Sequence, residues 1–214
     1  MMKDLAAIYD AAFFAEWGRS NEKYVESARV ITDALYDLYR PERLIDLGAG
    51  CGVYSHYFAA KGTDIVAIDG VVPPPELSYP LTFHVRDLTR PFDNEWGRFD
   101  LALCLEVAEH IPDEFSGAFL DNVIRFADRL ILSAAQPGQE GHHHVNTQPK
   151  RYWVAKLAQK GFAYNRRETG RVQTALMPAK DVYRWMADPI SVYDRVKGPA
   201  RSGDRLPFSV TPPR

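Results

Sequence analysis

Two carboxylates and an imidazole stand close together in "LEVAEH": Glu106, Glu109 and His110. Their spacing is i, i+3, i+4, which puts all three on one face if the segment starts a helix. Downstream, "GHHHVNTQP" carries His142, His143 and His144. Two carboxylates with one or two imidazoles suit a divalent cation. The imidazoles favour Mn²⁺, Fe²⁺, Co²⁺ or Zn²⁺ over Mg²⁺, which usually keeps oxygen ligands. Without a metal, the same groups line a polar pocket, with His110 or a loop histidine as a general base.

A second constellation is "LIDLGAGCG", in which Gly48, Gly50 and Gly52 directly follow an apolar run containing Asp46. Glycines at such a place let the backbone turn sharply and approach a bound molecule. The spacing G-x-G-x-G departs from the G-x-G-x-x-G that brings a pyrophosphate to a helix N-terminus. A carboxylate at Asp46 repels phosphate and attracts an ammonium group. Asp69 closes the next apolar run, where an acid accepts from ribose hydroxyls. The ligand these residues imply is a nucleoside with an amino-acid end, which describes S-adenosylmethionine. The glycine spacing disfavours a nicotinamide dehydrogenase.

Both constellations need elements to hold them. The patterning predicts helices over 4–17 and 21–39, the second with Ala28, Ile31, Leu35 and Leu38 at helical spacing and Pro41 beyond its end. Strands are expected at 44–47, 64–68, 81–85, 99–105 and 129–134. Helices are expected at 53–61, 114–127 and 149–160, the last begun by Pro149 and stopped by Gly161. The C-terminal third reads as strands near 162–168 and 171–176, a short helix near 179–187 and a strand near 190–193. This alternation argues for an α/β fold: a doubly wound, mostly parallel seven-stranded sheet with helices on both faces. In such a sheet the first βα turn is the ligand site.

The chain resembles the class I S-adenosylmethionine-dependent methyltransferases. The resemblance rests on "LIDLGAGCG", "DIVAIDG", "RDL" at 86–88 and "FDLALCLEVAEHIP", in that order, and covers roughly 44–193. It implies that Gly48, Ala49 and Gly50 line the methionyl part of the cofactor with Asp46 nearby. It implies that Asp69, beside Gly70, holds the ribose, and that Asp87 with the Leu88 amide meets the adenine. Leu105 and Glu106 are implied to lie beside the sulfonium. Similar E-x-x-E-H segments occur in ubiquinone-pathway O-methyltransferases and in small-RNA 3′-end 2′-O-methyltransferases, where the segment and a later histidine bind a metal. Carried over, Glu106, Glu109, His110 and His144 are the ligands, with His142 competing for the last place. The proline-rich substrate loop and added RNA-binding domain of the RNA enzymes have no counterpart here. The E-H pair also occurs in methyltransferases that bind no metal, where His110 lines the pocket.

Composition bounds the partners. The 214 residues carry 26 Lys and Arg against 28 Asp and Glu, a net charge of −2. The whole molecule is therefore no electrostatic match for nucleic acid. One window is basic: Lys150, Arg151, Lys156, Lys160, Arg166, Arg167 and Arg171 stand against Glu168. It reads either as a cradle for an acidic substrate or as the solvated face of a helix and a strand edge. No apolar run is long enough to span a membrane. Cys51 and Cys104 have no paired spacing and read as small buried hydrophobes; a reducing, cytoplasmic home fits. Tyr9, Phe13, Phe14, Trp17 and Tyr24 read as an N-terminal lid or as packing against the sheet. The expected organisation is a helical lid at 1–40, a cofactor-binding domain at 41–195 and a Pro-, Gly- and Arg-rich tail at 196–214. The expected reaction is O-methylation of a small molecule or saccharide. A nucleic-acid 2′-O-methyltransferase and a binding-only partner subunit are the alternatives.

Overall fold

Sequence alternation becomes two buried faces. In the computed structural model, which describes residues 5–196, β1 (Arg43–Leu47), β2 (Asp64–Asp69), β3 (Phe83–Val85), β4 (Leu101–Cys104), β5 (Arg129–Leu132), β6 (Phe162–Tyr164) and β7 (Ser191–Arg195) form one sheet. Its order is β3-β2-β1-β4-β5-β7-β6. The first five strands are parallel, and β7 runs antiparallel to both β5 and β6. Successive residues of β4 go to opposite sides: Ala102 and Cys104 to one core, Leu101 and Leu103 to the other.

Helices cover both sides. On one, α5 (Ser116–Val123) and α6 (Lys150–Gln159) bury Phe119, Leu120, Val123, Trp153 and Leu157. On the other, α3 (Glu22–Tyr39), α4 (Val53–Ala60) and α7 (Arg166–Leu176) bury Ala28, Ile31, Leu35, Val53, Phe58, Val172 and Leu176. Thus α3 is part of the sheet's own layer. Ahead of it, the expected helix over 4–17 is broken into α1 (Leu5–Ile8) and α2 (Ala11–Glu16). Asp10 causes the break, since its carboxylate accepts from the Ala12 and Phe13 N–H groups, each at 3.0 Å, and caps α2.

Two expectations fail. Of the strands expected near 162–168 and 171–176, only β6 at Phe162–Tyr164 forms, and Arg166–Leu176 are helix α7. Val172, Thr174 and Leu176 look like a strand's alternation, yet Thr174 is exposed and burial falls on Glu168, Thr169, Val172 and Leu176. Asn165 starts the helix by accepting from Glu168 N at 2.9 Å. The helix expected at 114–127 is shorter, with a 3₁₀ turn at Asp113–Phe115 ahead of α5. A short α8 (Arg184–Ala187) then leads into β7. The tail from 197 lies outside the described residues.

The strand order places the site. Connections from β1 run towards β3 on one side and from β4 towards β6 on the other. The crevice at this reversal lies at the carboxyl ends of β1 and β4. Those ends carry the glycine turn and the "LEVAEH" segment.

Candidate active site

Two loops meet at the reversal, and a glycine sets their distance. Gly48 has φ +85°, and a Cβ on it would come within 2.3 Å of a Val107 methyl. Only glycine allows both that conformation and that approach. Gly50 (φ +54°) faces open space, with nothing within 4 Å of where a Cβ would stand. Its N–H donates to Asp69 Oδ2 at 2.8 Å, while Asp69 Oδ1 accepts from Val71 N at 3.2 Å. The turn after β1 is thereby tied to the end of β2.

Beneath the turn lies Asp46, 3% exposed, accepting from Ser55 Oγ at 2.7 Å. Burial pushes its carboxyl up to about 7. Burial likewise raises Asp69, whose accepted backbone bonds pull the other way. The Tyr24 and Tyr54 hydroxyls rise too, first through burial and then through the charges of neighbours that include Asp46 and Glu106. Asp46 is raised further by the charge of Asp69 and Glu106 by that of Glu109, so the charged neighbours of these buried carboxyls are themselves acidic. The crevice is therefore electronegative and suits a ligand carrying positive charge. Ala49 and Leu105 line the same region, each 8% exposed. Gly70 is covered by Leu5, whose Cδ1 lies 3.0 Å from the position of a Cβ there. Asp87 Oδ1 accepts from Thr89 N at 2.9 Å and Thr89 Oγ1 at 2.6 Å, which fixes the turn carrying buried Leu88.

The second loop corrects the helical-face expectation. Only Ala108–His110 form a single 3₁₀ turn, and Val107 ahead of it is not helical. Glu106 has φ +55°, an uncommon left-handed conformation for a non-glycine residue that costs on the order of 1–3 kcal/mol. Ser133, beyond β5, holds it there: Glu106 N donates to Ser133 Oγ at 3.0 Å. The single turn brings Glu109, His110 and His144 together, with one ligand atom from each lying within 4.8 Å of the others. Glu106, the fourth expected ligand, falls outside this group because the chain turns left-handed before the helical turn begins. His142 also falls outside it; its Nε2 meets the Ile8 carbonyl at 2.6 Å.

Backbone bonds clamp the histidine loop in place. Val145 N and Asn146 N both donate to the Glu109 carbonyl, at 3.0 and 2.9 Å. Buried Asn146 donates from Nδ2 to the Ile111 carbonyl at 2.9 Å. His110 Nδ1 faces the His143 carbonyl at 3.3 Å, which assigns the proton to Nδ1 and leaves Nε2 as acceptor. His144 Nδ1 pairs with the Gln139 carbonyl at 3.1 Å. Burial, with His144 second, lowers His110 to about 4, so it is neutral at neutral pH. Burial raises both Glu106 and Glu109; the Glu109 charge raises Glu106 further, whereas the neighbouring Glu106 carboxyl pulls Glu109 back down. Both Glu109 oxygens are buried with no hydrogen-bond partner among the described residues.

Tyr9 of the N-terminal segment closes over this group, edge-on to His110 at 5.7 Å and to His143 at 6.3 Å. The sequence offers Tyr9 and Tyr24 either as part of an N-terminal lid or as packing against the sheet. Tyr54, Ser55 and Ser133 also belong to the site, although the sequence motifs do not single them out. Tyr54 and Ser55 did carry a signal, since the first turn after a glycine loop faces the ligand edge. Ser133 carried none, because strand ends are not marked by residue type.

A family model for a methyltransferase domain matches residues 19–175. The chain belongs to that family. Its fold is that of the class I S-adenosylmethionine-dependent methyltransferases. The ubiquinone biosynthesis O-methyltransferase of Pseudomonas aeruginosa is 30% identical to it over 124 residues, 54% of this chain and 50% of that protein. The methyltransferase spans about half the length of the curated relatives it matches. Among solved structures it resembles the Burkholderia thailandensis 1,6-didemethyltoxoflavin-N1-methyltransferase with bound S-adenosylhomocysteine. That likeness has a TM-score of 0.58 at 19% identity, over 91% of this chain and 90% of that one. It also resembles the small RNA methyltransferase HEN1, with a TM-score of 0.54 at 15% identity, over 80% of this chain and 25% of that one. At these identities the structural likeness is one of fold. No helix among the described residues of the methyltransferase is long and apolar enough to cross a membrane.

Proposed function

We propose that this methyltransferase methylates an oxygen of a small-molecule or saccharide acceptor, with a divalent cation held by Glu109, His110 and His144. The observation that carries this reading is Glu109. A buried carboxylate with both oxygens unpartnered is costly. Two imidazoles stand beside it, and a cation shared with them ends that cost. The lowered His110 supports the same reading. A group near 4 is a poor general base at neutral pH but a good neutral ligand through Nε2.

S-adenosylmethionine supplies a methyl group already activated on a sulfonium, and a bound cation lowers the pKa of an acceptor hydroxyl. The chain's own work is positioning. Gly48, Ala49 and Gly50 admit the methionyl end, Asp46 faces its ammonium, and Asp69 accepts from the ribose. Asp87 and the Leu88 amide meet the adenine, and Leu105 and Glu106 flank the sulfonium. In-line alignment of acceptor and methyl is worth several kcal/mol. The segment bearing Tyr9 acts as a lid that excludes water. Two free, buried cysteines suit a reducing, cytoplasmic compartment.

The test is turnover and metal content before and after chelation. We expect S-adenosylhomocysteine to bind equally well in both states, and turnover to vanish in chelator and return with added Mn²⁺, Fe²⁺, Co²⁺ or Zn²⁺. His110→Ala and His144→Ala should lose bound metal and activity together. Full turnover by metal-free protein would overturn the metal and leave a histidine as the base.

A further inference from the structure

Beside the crevice the chain borders a second, open space. A recess of about 270 Å³ is lined by Gln136, Gln139, Lys150, Arg184, Trp185 and Pro189, with Asp188 at its edge. A smaller cavity of about 10 Å³ adjoins it, sharing Gln136, Lys150 and Pro189 and adding Trp153. The recess is tied to the catalytic cluster by one turn. Gln139 lines it, gives its carbonyl to His144 Nδ1 at 3.1 Å, and accepts from Gln136 N through Oε1 at 3.3 Å.

Its chemistry is specific. Arg184 is neutralised by Asp188. Lys150 makes no ion pair among the described residues; its Nζ lies over the Tyr164 ring, 5.9 Å from the centroid. One positive charge is therefore uncompensated. Lys150 is also the first residue of α6, whose preceding Pro149 offers no side-chain cap, so the positive end of that helix points the same way. In the small adjoining cavity the Trp153 indole N–H is buried, with the residue 2% exposed and no hydrogen-bond partner among the described residues. Trp185 stands half-buried at the mouth, braced edge-on by Trp17 at 5.4 Å, and offers a flat apolar surface.

We propose that this recess binds the acceptor: a single ring stacked on Trp185, carrying a carboxylate or phosphate that pairs with Lys150 and the first turn of α6. This rests on the reading that the acceptor's reactive oxygen lies at the Glu109–His110–His144 cluster. The volume is near the lower end for small-molecule pockets, which suits one ring and excludes an oligonucleotide. The unpartnered Trp153 N–H supplies a buried donor that an oxyanion or its bridging water satisfies.

The four tryptophans give four indole N–H resonances by which NMR reads the site without metal or turnover. The S-adenosylhomocysteine-loaded enzyme is titrated with benzoate, phenyl phosphate and the neutral isostere benzamide. The expected result is movement of the Trp185 and Trp153 signals with Trp96 still, and at least tenfold weaker binding of benzamide. Whichever of benzoate and phenyl phosphate binds more tightly identifies the oxyanion. Lys150→Gln should weaken the anions about tenfold, leave benzamide unchanged, and leave S-adenosylhomocysteine affinity intact. Equal binding of benzamide, no binding of any probe, or full anion affinity in Lys150→Gln overturns the proposal. Because the titration needs no metal, failure of the chelation test does not alter its outcome.

Discussion

At the scale of single residues the site is governed by burial of acids without bases. Asp46 shows the consequence most directly, because burial raises it from 3.8 to about 7. Between those values the folded chain holds a proton that the unfolded chain has released. Stability is therefore highest below about 4 on this account, and is lost as pH rises through about 7. Asp46→Asn removes the loss: its unfolding free energy from urea melts should exceed the parent's at pH about 8 by on the order of 1–3 kcal/mol, and match it at pH about 4. A pH-independent difference would show that Asp46 is not the titrating group. Gly141 makes a different case. A Cβ there would come within 2.2 Å of the His144 ring, while its backbone is not left-handed. Gly141→Ala should thus fold normally but push the imidazole out of the cluster. Metal affinity is expected to fall about 10–100-fold, the range for lost support of a ligand. Metal titration with thermal melts separates this from misfolding, and unchanged affinity counts against His144 as a ligand.

At the scale of elements, function depends on how closely two loops approach. The β1 turn touches the β4 loop through Gly48 and Val107. Gly48→Ala should therefore impair cofactor binding and lower stability, and adding Val107→Ala should recover part of the loss. The recovery is incomplete because φ +85° still disfavours alanine. Calorimetry with S-adenosylhomocysteine on the three variants reads the coupling, and strict additivity would mean the loops act independently. The same elements show what a sequence discloses. Strands β1, β2, β4 and β5 were legible because most of their residues are buried on both faces, giving short, mainly apolar runs broken in β1 only by Asp46. The glycine turn was legible because only glycine meets its backbone demands. Helix α7 was not, because its amphipathic spacing imitates alternation over the few residues 172–176. Nor was the single turn at Ala108–His110. The i, i+3, i+4 spacing proposes a helix, while the left-handed Glu106 depends on Ser133, a partner far away in sequence. Clustering of Glu109, His110 and His144 was readable only as residue types; the Asn146 clamp that creates it is tertiary.

At the scale of the whole molecule, charge and covering decide what can enter. Three of the seven basic residues between 150 and 171 are spoken for: Lys156 by Asp113, Lys160 by Asp121 and Arg171 by Glu168. With a net charge of −2, little field is left to gather a polyanion. Short single-stranded RNA should show no measurable binding by fluorescence anisotropy at low salt. Tight binding that falls steeply with salt would restore the nucleic-acid reading. The covering is the N-terminal segment, which crosses the crevice from one rim to the other. Leu5 rests over Gly70 on the cofactor side, while Ile8 and Tyr9 meet His142 and His110 on the acceptor side. If a nucleoside binds beneath that span, as proposed, its release requires the span to lift, and we expect that movement of chain through solvent to set the pace of turnover. Turnover should slow in proportion to added viscogen and show a first-turnover burst, and Tyr9→Ala, by loosening the span, should shed both signatures.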